Sequence, residues 1–172
     1  FEPALRERVA LLKGLPVSVV DQVITEKITL MPGGRELVHT MKRHGAYTAL
    51  VSGGFTAFTN PIAATLGFDE NRANDLRIDS GHFVGKVSEP ILGKEAKLEA
   101  LNEISARLAI SPLDAIAVGD GANDLLMLKA AGTGVALHAK PSVAAQAKIR
   151  LNFSDLTGLL YLQGYRKTDF SS

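Results

Sequence analysis

The sequence has 172 residues, 46% hydrophobic and 22% charged, with 19 basic and 18 acidic side chains and a formal charge of +1. That length suits one core with a small appended part, and the charge balance gives no reason to expect nucleic acid or an anionic membrane as partner. With no cysteine in the chain there is no disulfide, thiolate nucleophile or Cys-ligated metal, which fits a reducing, cytoplasmic compartment, and no apolar run approaches membrane-spanning length.

In chain order, Glu2 to Lys13 reads as a helix, with Leu5, Val9 and Leu12 at helical spacing and Gly14-Leu15-Pro16 closing it. Val17 to Lys27 repeats the pattern, and the two segments are expected to form a small helical unit. Met31-Pro32-Gly33 opens a third helix that Gly45 ends. Tyr47 to Ser52 is a short apolar strand meeting Gly53-Gly54, with a helix to Gly67 behind it. Leu76 to Ile78 and His82 to Val84 read as a hairpin around Asp79-Ser80-Gly81. A long helix spans about 94–108, a strand runs over Ala115 to Gly119, and a helix over Ala122 to Ala131 stops at Gly132. Gly134 to Leu137 is a further strand, Pro141 to Ala147 a short helix, Ile149 to Leu151 a strand and Leu156 to Leu162 a last helix. The polar tail after Gly164 is expected to fray. Alternation of helices with apolar strands predicts an α/β fold, a Rossmann-like parallel sheet flanked by helices. In such sheets the loops at the C-terminal strand ends form the binding crevice.

Chemistry concentrates at three places. Gly119-Asp120-Gly121-Ala122-Asn123-Asp124 puts two carboxylates and an amide after a strand, between glycines that allow a tight turn. One Asp in such a turn is an ordinary helix cap; this density of oxygen donors instead suits a hard cation such as Mg²⁺ that also takes a substrate phosphate. Ser52-Gly53-Gly54 combines a small hydroxyl with free amides ahead of a helix, an arrangement that holds phosphate but also occurs as a plain turn. Lys97, in the first turns of the long helix, has an ammonium that would neutralise phosphoryl charge; Lys94 competes for the role. Arg8 is suited to a bidentate grip on a carboxylate, or to a surface ion pair with Glu2 or Glu7. The four histidines, His39, His44, His82 and His138, have no ligand spacing and read as structural or surface residues.

Taken in order, Ser52 after a strand, Lys97 on a following helix and the Asp120/Asp124 loop resemble the second to fourth motifs of the haloacid dehalogenase (HAD) superfamily of phosphotransferases. The wider wording resembles its phosphoserine phosphatases: the stretch from Phe1 through Arg8 to Lys13, Val51-Ser52-Gly53-Gly54-Phe55, Val118 to Asp124, and His138-Ala139-Lys140-Pro141. The likeness runs to about residue 160. It implies residues 1–30 as the C-terminal part of a helical cap and 31–172 as an incomplete HAD-like core. It implies Asp120 as the Mg²⁺ ligand, with Asn123 and Asp124 supporting metal, water and phosphate. Ser52 and Gly53 would bind the phosphate, Lys97 would stabilise its charge, Arg8 would read the substrate carboxylate and Phe1 would help close the pocket. The implied reaction is hydrolysis of the small phosphomonoester L-phosphoserine through an aspartyl-phosphate, in serine biosynthesis.

The family's first motif, Asp-x-Asp-x-Thr, is absent: no Asp precedes Asp21, and Asp21 falls inside a predicted helix. The resemblance implies that this nucleophile and the general acid/base Asp belong upstream of Phe1. Their strand would lie at the sheet's centre, between those ending at Val51 and Val118. The chain alone is then expected to be inactive and not to fold as a well-behaved monomer, its partner being the missing N-terminal segment or a second chain. The alternatives are a HAD phosphatase for another small phosphomonoester and a non-catalytic phosphate- or phosphoserine-binding module.

Overall fold

The computed structural model describes residues 2–171. Its contacts divide the chain into two compact units, Phe1–Gly93 with Asp155–Ser172, and Lys94–Ser154.

The first unit opens with helices α1 (Glu2–Ala10), α2 (Val19–Lys27) and α3 (Gly34–Arg43). In α1 only Leu5 and Val9 are buried, four residues apart and so on one face. They pack with Val87, Phe55, Leu76 and Ile91. Strand β1 (Ala49–Phe55) leads through α4 (Thr56–Leu66) to β2 (Glu70–Asn74), which lies parallel to it. Then β3 (Leu76–Asp79) and β4 (His82–Val87) form the expected antiparallel hairpin. It extends beyond the predicted Val84, because Gly85 at φ +73° lets β4 bulge and continue to Val87. The turn after α1 docks on this hairpin: the Gly14 N–H donates to the Phe83 carbonyl and the Phe83 N–H to the Leu15 carbonyl.

The strand β2 is not apparent in the sequence. Its residues, Glu-Asn-Arg-Ala-Asn, offer no apolar run. Polar partners satisfy it instead: Tyr47 donates to Glu70 at 2.7 Å, Arg72 pairs with Glu70 at 2.5 Å, and the Thr59 hydroxyl donates to Asn71 at 2.7 Å.

The second unit begins with α5 (Ala96–Arg107), followed by the parallel strands β5 (Ile116–Gly119), β6 (Thr133–Leu137) and β7 (Ile149–Leu151) in the order β5-β6-β7. The helices between them are α6 (Leu125–Ala130) and α7 (Pro141–Ala144). Strand β6 is central, and Val135 and Ala136 have no exposed surface. Leu128 and Ala131 pack on Ala117, with Leu101 and Met127 beside them. Helix α6 starts later than expected, because residues Ala122–Asp124 form a 3-10 turn. The architecture is α/β with parallel strands joined by helices, as the alternating pattern predicts.

The chain then returns to the first unit with α8 (Gly158–Leu162). The tail beyond it does not fray. Phe170 lies 5.1 Å from Tyr161 between ring centroids, Tyr165 lies 4.7 Å from His44, and the Ser171 N–H donates to the buried Thr40 hydroxyl at 2.8 Å.

Candidate active site

In the first unit, Gly53 and Gly54 lie within β1 with Ser52, rather than after the strand. The ladder slips here: Val51 pairs with Arg72 and Phe55 with Asn74, so four steps along β1 match two along β2. The extra residues bow the segment out of regular pairing. The Ser52 Oγ accepts the Gly54 N–H at 3.0 Å. Oriented this way, the hydroxyl keeps its own proton free to donate. Helix α4 starts directly after, at Thr56.

Arg8 is exposed on α1 and its side chain has no ion-pair partner among the described residues. Of the basic residues on this helix it is Arg6 that pairs, with Glu89 and with Glu2. Phe1 lies outside the described residues.

In the second unit the Asp120–Asp124 loop leaves the C-terminal end of β5. Asp124 is buried and its carboxylate is shared among three donors. Lys97 Nζ lies 2.5 Å from Oδ1, while Oδ2 accepts the N–H groups of Asp120 at 3.0 Å and Gly121 at 2.9 Å. Gly119 is required beneath this carboxylate, since a Cβ there would stand 2.5 Å from Oδ2. The structure thus distinguishes the two lysines. Lys97 is half-buried against Asp124, whereas Lys94 is exposed and makes no such contact.

Asp120 and Asn123 are exposed, and their side chains accept no hydrogen bond within the described residues. Among those residues no group of three or more His, Cys, Asp or Glu side chains could hold a metal on its own. A divalent cation that retains waters and binds substrate phosphate needs only one or two protein carboxylates. The free carboxylate of Asp120, with the Asn123 amide in the same loop, fits that requirement. The histidines are dispersed as expected, His138 meeting the Ser154 carbonyl at 2.8 Å and His82 that of Ser80 at 2.9 Å. Sequence reasoning missed Asn74, an amide on the polar strand β2 that is buried against Gly53.

Residues 1–129 match the family model described as haloacid dehalogenase-like hydrolase. The chain belongs to this family. Within it, the chain is 43% identical over 162 residues to the phosphoserine phosphatase of Haemophilus influenzae, covering 94% of this chain and 51% of that protein. It is 45% identical to the phosphoserine phosphatase of a Polaromonas species, covering 94% of this chain and 70% of that one. It therefore spans between about half and about two thirds of the length of these curated relatives. Among solved structures, a probable phosphoserine phosphatase from Vibrio cholerae superposes with a TM-score of 0.92 at 39% identity, over 95% of this chain and 50% of that one. A substrate-bound phosphoserine phosphatase complex superposes at 0.86 with 40% identity, over 94% and 77%. Among the described residues, no helix is long and apolar enough to cross a membrane.

Proposed function

We propose that the protein is a Mg²⁺-dependent phosphomonoester hydrolase that converts L-phosphoserine to L-serine and inorganic phosphate, a step of serine biosynthesis in the cytoplasm. The observation that carries this reading is the loop holding Asp120 outward while Asp124, pinned by Lys97 and two backbone N–H groups, keeps its shape. Similarity to phosphoserine phosphatases over nearly the whole chain supports the substrate.

In this reading the Asp120 carboxylate, with Asn123, would hold Mg²⁺, and the ion would neutralise charge on the transferring phosphoryl group. Ser52 donates its free proton to a phosphate oxygen, and the Gly53 amide supports the same group. Lys97 contributes positive charge, and its contact with Asp124 fixes where that charge lies. Arg8, exposed on α1, takes the substrate carboxylate with its planar donors, and Phe1 covers the pocket.

Transfer through an aspartyl-phosphate requires a carboxylate oxygen to form a bond to phosphorus as the serine oxygen leaves and takes a proton. No Asp-x-Asp-x-Thr occurs in the sequence. We therefore expect the 172-residue chain alone not to turn substrate over. A second reading is a phosphate- or phosphoserine-binding module without catalysis.

The test is phosphate release from L-phosphoserine in Mg²⁺ by the product of the whole coding sequence, beside the 172-residue chain of verified mass. Turnover by the former alone supports the proposal. Binding without turnover by both supports the module. Turnover by the 172-residue chain would show that another of its residues is the nucleophile. A panel of small phosphomonoesters with Arg8→Ala tests the substrate: a loss confined to carboxylate-bearing compounds supports phosphoserine.

A further inference from the structure

Asn74 ends β2, the strand with no apolar run, and is 2% exposed. Burying a carboxamide is unfavourable unless its groups are bonded. Here the Oδ1 accepts the Leu92 N–H at 2.7 Å and the Nδ2 donates to the Gly53 carbonyl at 3.0 Å. The Leu92 N–H can only donate, so it fixes which end of the amide is oxygen and leaves the NH₂ group facing Gly53.

The Gly53 carbonyl and the Gly54 N–H belong to one planar peptide group. Holding the carbonyl therefore sets the direction of the N–H, which is the group donating to Ser52 Oγ at 3.0 Å. A continuous line runs from the Leu92 backbone through the Asn74 amide and the Gly53–Gly54 peptide to the Ser52 hydroxyl. It crosses the point where the β1–β2 ladder slips and regular pairing no longer holds the backbone. Two adjacent glycines there would otherwise leave the peptide free to rotate.

We propose that Asn74 is a positioning residue for the phosphate loop. By clamping the Gly53–Gly54 peptide, it keeps the Ser52 hydroxyl occupied as an acceptor on one side and directed as a donor toward phosphate on the other. The inference rests on the reading of Ser52 and Gly53 as phosphate ligands.

The test is titration of the ¹⁵N-labelled product of the whole coding sequence with inorganic phosphate in Mg²⁺, followed by NMR. In the unmutated chain the Asn74 side-chain NH₂ signals should move with the same midpoint as the Gly53 and Gly54 amides. Asn74→Leu, neutral and similar in size, should raise the phosphate dissociation constant at least about ten-fold, the scale of one lost charge-assisted contact. Asn71→Leu loses a side-chain bond on the same strand and should change it less than about two-fold. If Ser52→Ala leaves phosphate affinity intact, the phosphate reading fails and this inference with it. If Ser52→Ala weakens binding but folded Asn74→Leu does not, or the Asn74 NH₂ signals stay still, Asn74 has no positioning role and only this inference falls.

Discussion

Lys97 Nζ lies 2.5 Å from Asp124 Oδ1, joining the start of α5 to the loop after β5 across 27 residues of sequence. The Asp124 side chain is 2% exposed and that of Lys97 18%. The pair is thus largely withdrawn from water, and the second carboxylate oxygen is bonded to two backbone N–H groups. Breaking such a pair from one side leaves a charge without compensation, typically costing about 3–5 kcal/mol. Asp124→Ala is expected to lower the unfolding free energy by about 3 kcal/mol, measured by urea denaturation. With Lys97→Met added, the total loss should fall short of the sum of the single losses by at least about 1 kcal/mol. Strict additivity would mean that the two groups do not interact in solution.

Asp69 gives an acid-end prediction. Burial pushes its carboxyl up, but bonds from the Lys42 ammonium and from the Thr48 N–H and hydroxyl outweigh this and hold it below the usual carboxylate range. A carboxyl depressed in the folded state stabilises the fold above its unfolded-state pKa, and that stabilisation is lost as pH falls through the folded-state value. The urea midpoints of the unmutated protein and of Asp69→Asn should differ at about pH 6–7 and converge as pH falls through the depressed folded-state value of the Asp69 carboxyl. A constant difference across that range would show that the loss is packing rather than charge.

Glycine positions separate two kinds of cost. A Cβ at Gly134 would overlap the Leu128 carbonyl, whereas one at Gly45 would meet nothing within 4 Å but would sit at φ +81°. Backbone cannot yield as a flexible side chain can. Gly134→Ala should therefore cost at least about 3 kcal/mol or abolish soluble expression. Gly45→Ala should cost only about 1 kcal/mol for its left-handed backbone. Thermal denaturation of both variants checks the order.

The C-terminal tail should be part of the cooperative fold. Thr40 is fully buried and accepts the Ser171 N–H. Thr40→Val keeps the shape and removes the acceptor, and is expected to cost about 1 kcal/mol. Hydrogen exchange at Ser171 should be slow in the unmutated chain and fast in the variant. Fast exchange in both would detach the tail from the core.

Much of the architecture is legible in the residues themselves. The spacing of Leu5 and Val9 marks a buried helix face, and the apolar runs at Ala115–Gly119 and Gly134–Leu137 mark strands. These signals are local, because a buried face must repeat at the period of its own backbone. The same locality accounts for what went unread. Strand β2 is polar and exists only because β1 lies alongside it and because Tyr47, Thr59 and Asn74 find bonding partners there. The tail looked free because its partners, Thr40, His44 and Tyr161, are recognisable only once the chain has folded back.

The candidate site divides in the same way. The sequence alone determined the kind of chemistry: oxygen donors between glycines at a strand end, a hydroxyl before paired glycines, and the wording that ties the chain to its family. Only the tertiary structure decided which groups are committed and which are free. Asp120 and Asp124 are equivalent as letters. Folding buries Asp124 under Lys97 and two N–H groups and leaves Asp120 exposed, with no side-chain partner among the described residues. Residue type sets what a group can do, but whether its bonds are already taken depends on neighbours brought from distant parts of the chain.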